Sequence, residues 1–565
     1  MTVSEQRPST AEGSAWLRSG RLYVGLTLLS LVVAAASLKF KSTPSYDPWS
    51  WLIWGREILH GHLHIAGGSS WKPLPVIFTT VFAIFGSAAP NLWLIIARAG
   101  ALLAVIMAGV LAARLTWELG VGRISASAED GSVSALRNAG AWKRLVLIAP
   151  VVVAGLIALV GSTFTSGYPD NSMLGYSEGV MVAAALIAAE RAYDGHHRQA
   201  FALGFVAALD RPEVWVFWGP YGLWLMWRDP GARRLVIGLI VLAIALWIVP
   251  QKLGGQSAGA LISHAKTNHS ARSAVNSADP FRTEIRKLRT LVLERVQYAA
   301  ALLILCAVAL LIRARRNAES WLATLRSHRA LCAVALTGLF GFVWGLGIAV
   351  ETQDGFAGNP RYAVLGVVFL YVAGGAAFGW GCYAVARVLR EIVARVRRRS
   401  STAVTAPLAV GTTLVAALFI LVPNAFNRRF PSVHSIRHSL SYQTQLRNGD
   451  KLLIDHMGGP AKVLACGYVM TNNLQVTQLT WYLDVPIGTV WAASPPPNPK
   501  THQLAPNVVF QDAVTPGNPL EPATQTIKFW ESEGMHYTVT KSGLVTLYTD
   551  CGRAVKLSPR PGSSE

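Results

Sequence analysis

Charged residues are scarce in this chain. Only 14% of its 565 residues are Asp, Glu, Lys or Arg, whereas 52% are hydrophobic, and the mean hydropathy is +0.37. This composition is too apolar for a soluble enzyme of this length. It indicates a polytopic membrane protein.

The signature motifs of several large enzyme classes are also missing. The sequence has no Walker-type glycine loop, no paired CxxC, no HExxH and no GxSxG, and it has neither an internal repeat nor a long low-complexity tract. These absences argue against a nucleotide-powered pump, a zinc-finger site and a serine hydrolase.

Cysteine is too rare for a disulfide scaffold, with five residues in all. Cys306, Cys332 and Cys382 fall in apolar runs, where cysteine packs like a small hydrophobic residue. Cys466 and Cys551 lie in the polar C-terminal region and are the only plausible disulfide pair. They bond if that region faces an oxidising compartment, and otherwise they are two free thiols.

Negative charge is in short supply relative to positive charge. The chain has 51 Lys and Arg against 30 Asp and Glu, a net charge of +21. The basic residues lie in short loops between apolar segments, as the positive-inside rule expects of a membrane protein. We therefore expect no nucleic-acid partner.

Long apolar segments, which membrane helices require at roughly 20 residues each, predict about eleven spans. The clear candidates are 22–38, 92–115, 145–160, 235–249, 299–312, 331–350, 362–385 and 404–422. Shorter or interrupted candidates are 178–189, 200–209 and 214–226.

Segment 74–85 decides the predicted topology. It is short, and Pro73 and Pro75 break its start, so we interpret it as an interfacial or half-inserted helix. The basic loops 114–144 and 387–399 then lie inside, with the N-terminus in and the C-terminus out. The sequence thus predicts a cell (plasma) membrane protein with a cytoplasmic tail (1–20), a transmembrane domain (21–423) and an extracytoplasmic soluble α/β domain (424–565).

One predicted outside loop, 251–297, is basic and breaks the charge rule. Binding of lipid phosphates explains such a loop. Simple tolerance of charge in a longer loop explains it equally well.

An acid and a lysine follow the first apolar segment. Asp47 and Lys72 are set among tryptophans, just outside a membrane helix, where ionisable residues usually serve substrates or ions. The tryptophans favour anchoring at the membrane interface over stacking on sugar rings; they are Trp49, Trp51, Trp54 and Trp71.

The order of these residues resembles a known family. An acid (Asp47), a Lys-Pro pair opening a helix (Lys72-Pro73) and an Arg early in the next helix (Arg98) resemble the GT-C superfamily of membrane glycosyltransferases. The most similar pattern is that of the protein O-mannosyltransferase and lipid A aminoarabinose transferase group. Segment 204–212 and the run 359–362 (Asn-Pro-Arg-Tyr) extend the resemblance over residues 20 to 390. The Ala-, Arg- and Gly-rich composition suggests a high-GC bacterial source, such as an actinobacterium.

The resemblance implies transfer of a sugar from a polyprenyl-phosphate donor to an acceptor hydroxyl at the outer face of the membrane. Such a reaction needs a carboxylate as general base and positive charge for the departing phosphate. It implies Asp47 as the base and Lys72 as the cation that holds the donor phosphate, with Arg211 and Arg361 as further phosphate ligands. Helix capping by Asp47 and snorkelling by Lys72 are the structural alternatives.

Further candidates lie in the other predicted outer loops. Glu178 or Asp170 could complete an acidic pair with Asp47 or bind a divalent cation; a helix start and a turn are the structural alternatives. Substrate contacts are predicted for four residues: His264, Lys266, His269 and Tyr362.

The sequence departs from the family pattern in two places. Pro48 follows the first acid where the family commonly has a second acid, and Trp71 stands where it commonly has an acid before Lys-Pro. We therefore assign no metal ligand, and a divalent cofactor stays open.

A transporter or flippase for a lipid-linked saccharide is the alternative function, and a non-catalytic assembly protein is a third. The expected partners are a polyprenyl-phosphate sugar, membrane lipids and a glycan, lipid or protein acceptor. Asp210 and Glu213, which flank Arg211, are interpreted as structural ion-pair partners.

Overall fold

A computed structural model describes residues 20–65, 67–125, 141–255, 266, 273–317, 320–397, 411, 433–493, 504–552 and 554–556. The described residues up to 397 are almost entirely helical, and those from 433 onward form a mixed α/β unit. This is the predicted fold class, a helical membrane protein with a C-terminal α/β domain.

Fifteen α-helices lie within the described residues of the membrane part. They are α1 (Gly20–Ala36), α2 (Tyr46–Leu59), α3 (Pro73–Ala83), α4 (Ala89–Ser125), α5 (Ala141–Thr163), α6 (Tyr168–Met173), α7 (Glu178–Tyr193), α8 (His197–Ala208), α9 (Trp215–Arg228), α10 (Arg233–Leu253), α11 (Pro280–Leu291), α12 (Glu294–Arg316), α13 (Trp321–Ser327), α14 (Arg329–Gln353) and α15 (Val364–Arg397).

Within the described part of the chain, six helical segments are long and apolar enough to cross a membrane. They are Gly20–Lys39, Gly86–Gly120, Pro230–Leu253, Glu294–Arg316, Arg329–Gln353 and Pro360–Leu389. The chain is therefore an integral membrane protein.

Helices also occupy the positions of the shorter predicted spans. α7, α8 and α9 have 16, 12 and 14 residues, which is short for a straight crossing of the membrane. The predicted span 404–422 lies outside the described residues except for Gly411.

Segment 74–85 forms the expected short helix, α3. Its first turn is buried against the rest of the protein, through residues such as Leu74 and Val76. Its far end is apolar and exposed, with Ile84 66% and Phe85 59% accessible. One end of α3 is thus fixed in the protein, where Lys72 precedes it, and the other presents apolar side chains.

The described part of the C-terminal unit contains four α-helices and a sheet. The helices are α16 (Val433–His456), α17 (Pro460–Cys466), α18 (Val476–Leu483) and α19 (Thr524–Ser532). The strands are β1 (Val469–Thr471), β2 (Trp491–Ala492), β3 (Val508–Ala513), β4 (Leu520–Glu521), β5 (Thr538–Ser542) and β6 (Val545–Thr549).

The sheet has the order β2-β1-β3-β6-β5, with β4 paired to β3. β1 pairs in parallel with β2 and β3, and β6 pairs antiparallel with β3 and β5. Alternation along the strands buries both faces: Val508 and Phe510 pack on one face, and Val509 packs on the other. Cys466 and Cys551 form a disulfide, so of the two alternatives left open by the sequence the structure has the bonded pair.

The C-terminal unit docks directly on α2. Arg56 forms an ion pair with Asp484 at 2.6 Å and donates a hydrogen bond to the carbonyl oxygen of Val485 at 3.1 Å. The Trp49 and Trp481 rings lie 5.8 Å apart. The helix that carries Asp47 is therefore held between the membrane part and the soluble unit.

Candidate active site

Several helix starts meet at one place and bring together charged side chains that are distant in the sequence. Asp47 lies in the first turn of α2, Lys72 directly precedes α3, Glu178 opens α7, and Arg361 lies in the single turn Pro360–Ala363 before α15. We call the following residues the charged cluster: Asp47, Lys72, Glu178, Asp210, Arg211, Glu213 and Arg361.

Close helix packing fixes the position of Glu178. Gly179 lies against α4, where an added Cβ would lie 2.5 Å from the Cα of Ala101. Only glycine permits this approach, and it draws the start of α7 into the protein, where the Glu178 side chain is 4% exposed.

Lys72 lies between two buried acids. Its Nζ is 3.3 Å from Oε1 of Glu178 and 3.5 Å from Oδ2 of Asp210, and it donates a hydrogen bond to Oγ of Ser177 at 3.2 Å. The Lys72 side chain is only 9% exposed. The alternative of a snorkelling lysine is therefore wrong, because its ammonium group points into the protein.

Asp47 is paired with Arg361. The distance from its Oδ2 to Nη2 of Arg361 is 2.6 Å, and both side chains are 13% exposed. α2 begins at Tyr46, with Ser45 at the capping position, so Asp47 does not serve as the N-cap. The alternative role of helix cap is excluded for Asp47.

The ring of Tyr362 contacts two cations. The guanidinium of Arg211 lies 4.0 Å from the centroid of the Tyr362 ring, and that of Arg361 lies 5.3 Å from it. Arg361 also lies 4.4 Å from the ring of Tyr176. Cation–π contacts of this kind hold guanidinium groups in fixed orientations.

Burial raises the pKa of Tyr176 to about 12, so that its hydroxyl is neutral at physiological pH.

Asp210 is the member of the cluster whose role the sequence did not indicate. We interpreted Asp210 and Glu213 as structural ion-pair partners beside Arg211. Glu213 does pair with Arg211 at 2.8 Å, whereas Asp210 faces Lys72. Asp210 is fully buried, and burial raises the pKa of its carboxyl group. The only signal in the sequence is an acid directly before Arg-Pro at a helix end.

A small cavity opens beside the cluster. Its walls include Tyr176, Glu178 and Arg361 from the cluster region and Tyr168, Asn171 and Ser172 from α6. Asp170 lies on this same helix, and burial raises the pKa of its carboxyl group. α6 thus places Asp170 near the cavity, but no described contact joins its side chain to the cluster.

The remaining predicted contacts do not join the cluster in the described structure. Lys266 forms an ion pair with Asp354 at 2.7 Å and lies over the ring of Phe356. His264 and His269 lie outside the described residues.

Arg98, which contributed to the family resemblance, connects two helical segments by hydrogen bonds. It donates hydrogen bonds to Oγ of Ser37 and to the carbonyl oxygen of Met173, both at 2.9 Å. It therefore links the end of α1 to α6 and does not enter the cluster.

The prediction that the tryptophans near Asp47 anchor the protein at the membrane interface is wrong. Trp49, Trp51 and Trp54 are at most 1% exposed, and Trp71 is 3% exposed. They form the packed core around α2 and α3 and cannot reach lipid. Their physical role is to keep these two helices, and so Asp47 and Lys72, in one position.

The charges of the cluster come close to balance. Four carboxylates face three cations, and burial raises the pKa of one of the four, Asp210. Among the described residues, no group of three or more His, Cys, Asp or Glu side chains is arranged to hold a metal ion. A buried ion cluster contributes little to stability, because desolvation offsets its Coulomb energy, so its presence points to a function.

The fold and the cluster define the chain as an integral membrane protein whose buried charged site lies beside a docked soluble domain. No protein-family model and no curated protein matches the sequence. Among solved structures, the chain is similar to ArnT from Cupriavidus metallidurans bound to undecaprenyl phosphate, with a TM-score of 0.46 and 12% identity. The apo structure of that protein gives a TM-score of 0.44 and 12% identity, and in both cases the match covers 95% of this chain and 98% of the other. At this level of similarity the likeness assigns no activity.

Proposed function

We propose that this protein is a membrane glycosyltransferase of the GT-C type. It moves a sugar from a polyprenyl-phosphate donor to an acceptor hydroxyl at the outer face of the membrane. The observation that carries the proposal is the convergence of Lys72, Arg211 and Arg361 on one point beside Asp47, at the end of the helices on which the C-terminal unit docks.

Each part of the chemistry has a candidate residue. Lys72, Arg211 and Arg361 supply the positive charge that stabilises the departing phosphate. Asp47 accepts the proton of the acceptor hydroxyl, and its 13% exposure leaves one edge of the carboxylate accessible. The ion pair with Arg361 keeps the Asp47 carboxylate at the phosphate site. A single guanidinium group therefore lies between the base and the leaving phosphate.

Lipid contacts are proposed for two elements. The exposed apolar end of α3 suits contact with lipid tails near the site. α11 carries basic residues (Arg282, Arg286, Lys287 and Arg289) and packs on α14. A cationic helix in this position favours anionic headgroups.

The test is transfer of radiolabelled sugar by the purified full chain in lipid, across a panel of polyprenyl-phosphate sugars. We expect one donor to be used, and we expect Asp47→Asn to lose at least about a hundredfold in rate, because the amide cannot take a proton. Full transfer by Asp47→Asn would remove Asp47 as the base. Tight binding of a lipid-linked sugar without turnover of any donor would favour a transporter instead.

A further inference from the structure

One oxygen atom in the charged cluster is shared by all three cations. Oε1 of Glu178 lies 3.3 Å from Nζ of Lys72, 3.7 Å from Nη2 of Arg211 and 4.0 Å from Nη1 of Arg361. No other carboxylate among the described residues has recorded ion pairs with all three.

These three contacts are long compared with the other ion pairs of the same side chains. Arg361 meets Asp47 at 2.6 Å and Arg211 meets Glu213 at 2.8 Å, which are normal distances for charge-assisted hydrogen bonds. Glu178 therefore makes no short hydrogen bond to any of the three cations. A single carboxylate oxygen cannot bond at full strength to donors that approach from three sides.

Several polar atoms of Arg211, Arg361 and Glu178 have no hydrogen-bond partner in the described structure. Nη1 and Nε of Arg361 and Nε of Arg211 are buried and make no hydrogen bond within the described structure, and neither does Oε2 of Glu178. Buried polar groups without partners call for an explanation. Three spare donors on two of the cations that face Glu178 suit an anion that has several oxygens, as a phosphate has.

We propose that Glu178 is the resident counter-anion of the phosphate site. In the free protein its carboxylate holds Lys72, Arg211 and Arg361 together at the position that a lipid phosphate takes. This inference rests on the proposed function and assigns Glu178 a positioning role, distinct from an acid paired with Asp47 or a metal ligand.

The counter-anion also discriminates between donor and product. A polyprenyl-phosphate sugar is a phosphodiester with one negative charge, whereas the polyprenyl phosphate left after transfer carries up to two. Repulsion from Glu178 acts on both but is stronger for the dianion. Glu178 therefore lowers the affinity for the product and speeds its release.

The test is equilibrium binding of polyprenyl phosphate to the purified full chain in lipid nanodiscs, with uncharged polyprenol as the control ligand. Glu178→Gln keeps the shape and one oxygen but removes the charge, and we expect it to bind polyprenyl phosphate roughly tenfold more tightly or better. We expect unchanged binding of polyprenol. Glu213→Gln removes a charge whose ion pairs, among the described residues, are confined to Arg211, so we expect a smaller gain from it.

In transfer kinetics, Glu178→Gln should show a lower kcat with stronger product inhibition and a KM for donor that falls with kcat, so that kcat/KM is not reduced. A purely structural role for Glu178 does not give this split. Unchanged or weaker binding of polyprenyl phosphate by a folded Glu178→Gln protein overturns the inference.

A second measurement uses the unaltered chain and so does not depend on how the variant folds. We expect the wild type to bind polyprenyl phosphate no more tightly than its monoanionic methyl ester. A preference of tenfold or more for the dianion overturns the counter-anion role and leaves the proposed function intact. A wild type that binds polyprenyl phosphate no better than polyprenol contradicts both.

Discussion

At the scale of single residues, Arg361 connects the parts of the candidate site. Its guanidinium reaches Asp47 with one nitrogen and faces Glu178 with the other, while Tyr176 and Tyr362 hold its plane. A lysine has the same charge but no planar fork, so it cannot reach Asp47 and Glu178 with separate nitrogens while lying against the two rings.

Arg361→Lys is therefore expected to lower the rate of sugar transfer by roughly tenfold, and Arg361→Met by roughly a hundredfold. Steady-state transfer rates at saturating donor measure both. Arg198→Lys is the matched control, because Arg198 is 56% exposed and, within the described part of the chain, its ion pair is with Asp229. An Arg361→Lys rate within twofold of the wild type would show that the bidentate geometry does not matter.

The sequence indicated several of these residues because polar groups at helix ends beside apolar segments are few. Asp47, Lys72, Glu178, Arg211 and Arg361 were all predicted site residues, and all belong to the cluster. The partner of each could not be predicted, because the pairing of Lys72 with Asp210 joins segments about 140 residues apart through tertiary packing. For the same reason the sequence did not reveal that the tryptophans are buried between helices.

At the scale of elements, the C-terminal sheet carries buried acids at the end of its parallel strands. Asp512 on β3 accepts a hydrogen bond from Asn472, which follows β1, and Asp450 on α16 accepts one from Gln478 at 2.9 Å. One oxygen of each carboxylate has no hydrogen-bond partner in the described structure. Burial raises the pKa of Asp512 to about 7 and raises that of Asp450 well above its usual range, with the Asp512 charge contributing.

These shifts predict that the C-terminal unit loses stability as the pH rises. A carboxyl group with a raised native pKa stabilises the fold below about pH 4, and this contribution disappears as the pH approaches the native value near 7. The difference for Asp512 is on the order of 4 kcal/mol. We expect protection factors of the β3 amides, corrected for intrinsic exchange, to fall between pH 5 and pH 7.5 in the full chain.

The matched variant is Asp512→Asn, which keeps the oxygen that accepts from Asn472. Its protection factors should vary clearly less with pH, with the remainder due to Asp450, and should exceed the wild-type values at pH 7.5. An equally steep dependence in the variant would show that Asp512 does not carry it.

At the scale of the whole molecule, ionic networks lie near the two ends of α7. Glu178 opens the helix within the charged cluster, and near its other end Arg114 pairs with Glu190 at 2.8 Å and also with Asp194. The second network joins α4 to α7, and its acids meet Arg114 in close ion pairs. The charged cluster differs, because three cations there share one loosely held oxygen.

The fold class could be predicted from the sequence, whereas the docking of the C-terminal unit could not. Composition and hydrophobic run length are sufficient to predict a helical membrane protein, and the alternating segments after 424 predicted the α/β unit. The docking of that unit on α2 through Arg56 and Asp484 depends on the complementarity of two surfaces, and the hydrophobic periodicity of the sequence does not predict it. The predicted sidedness, with the cluster and the C-terminal unit outside, stays a prediction.

The central claim is that the charged cluster binds a lipid phosphate. Its most direct test is the affinity of polyprenyl phosphate, relative to polyprenol, for the full chain in nanodiscs, in the wild type, Lys72→Met and Lys72→Arg. We predict that the wild type prefers the phosphate, that Lys72→Met weakens this preference by at least about tenfold, and that Lys72→Arg retains part of it. Equal affinity of the wild type for polyprenyl phosphate and polyprenol would contradict the claim.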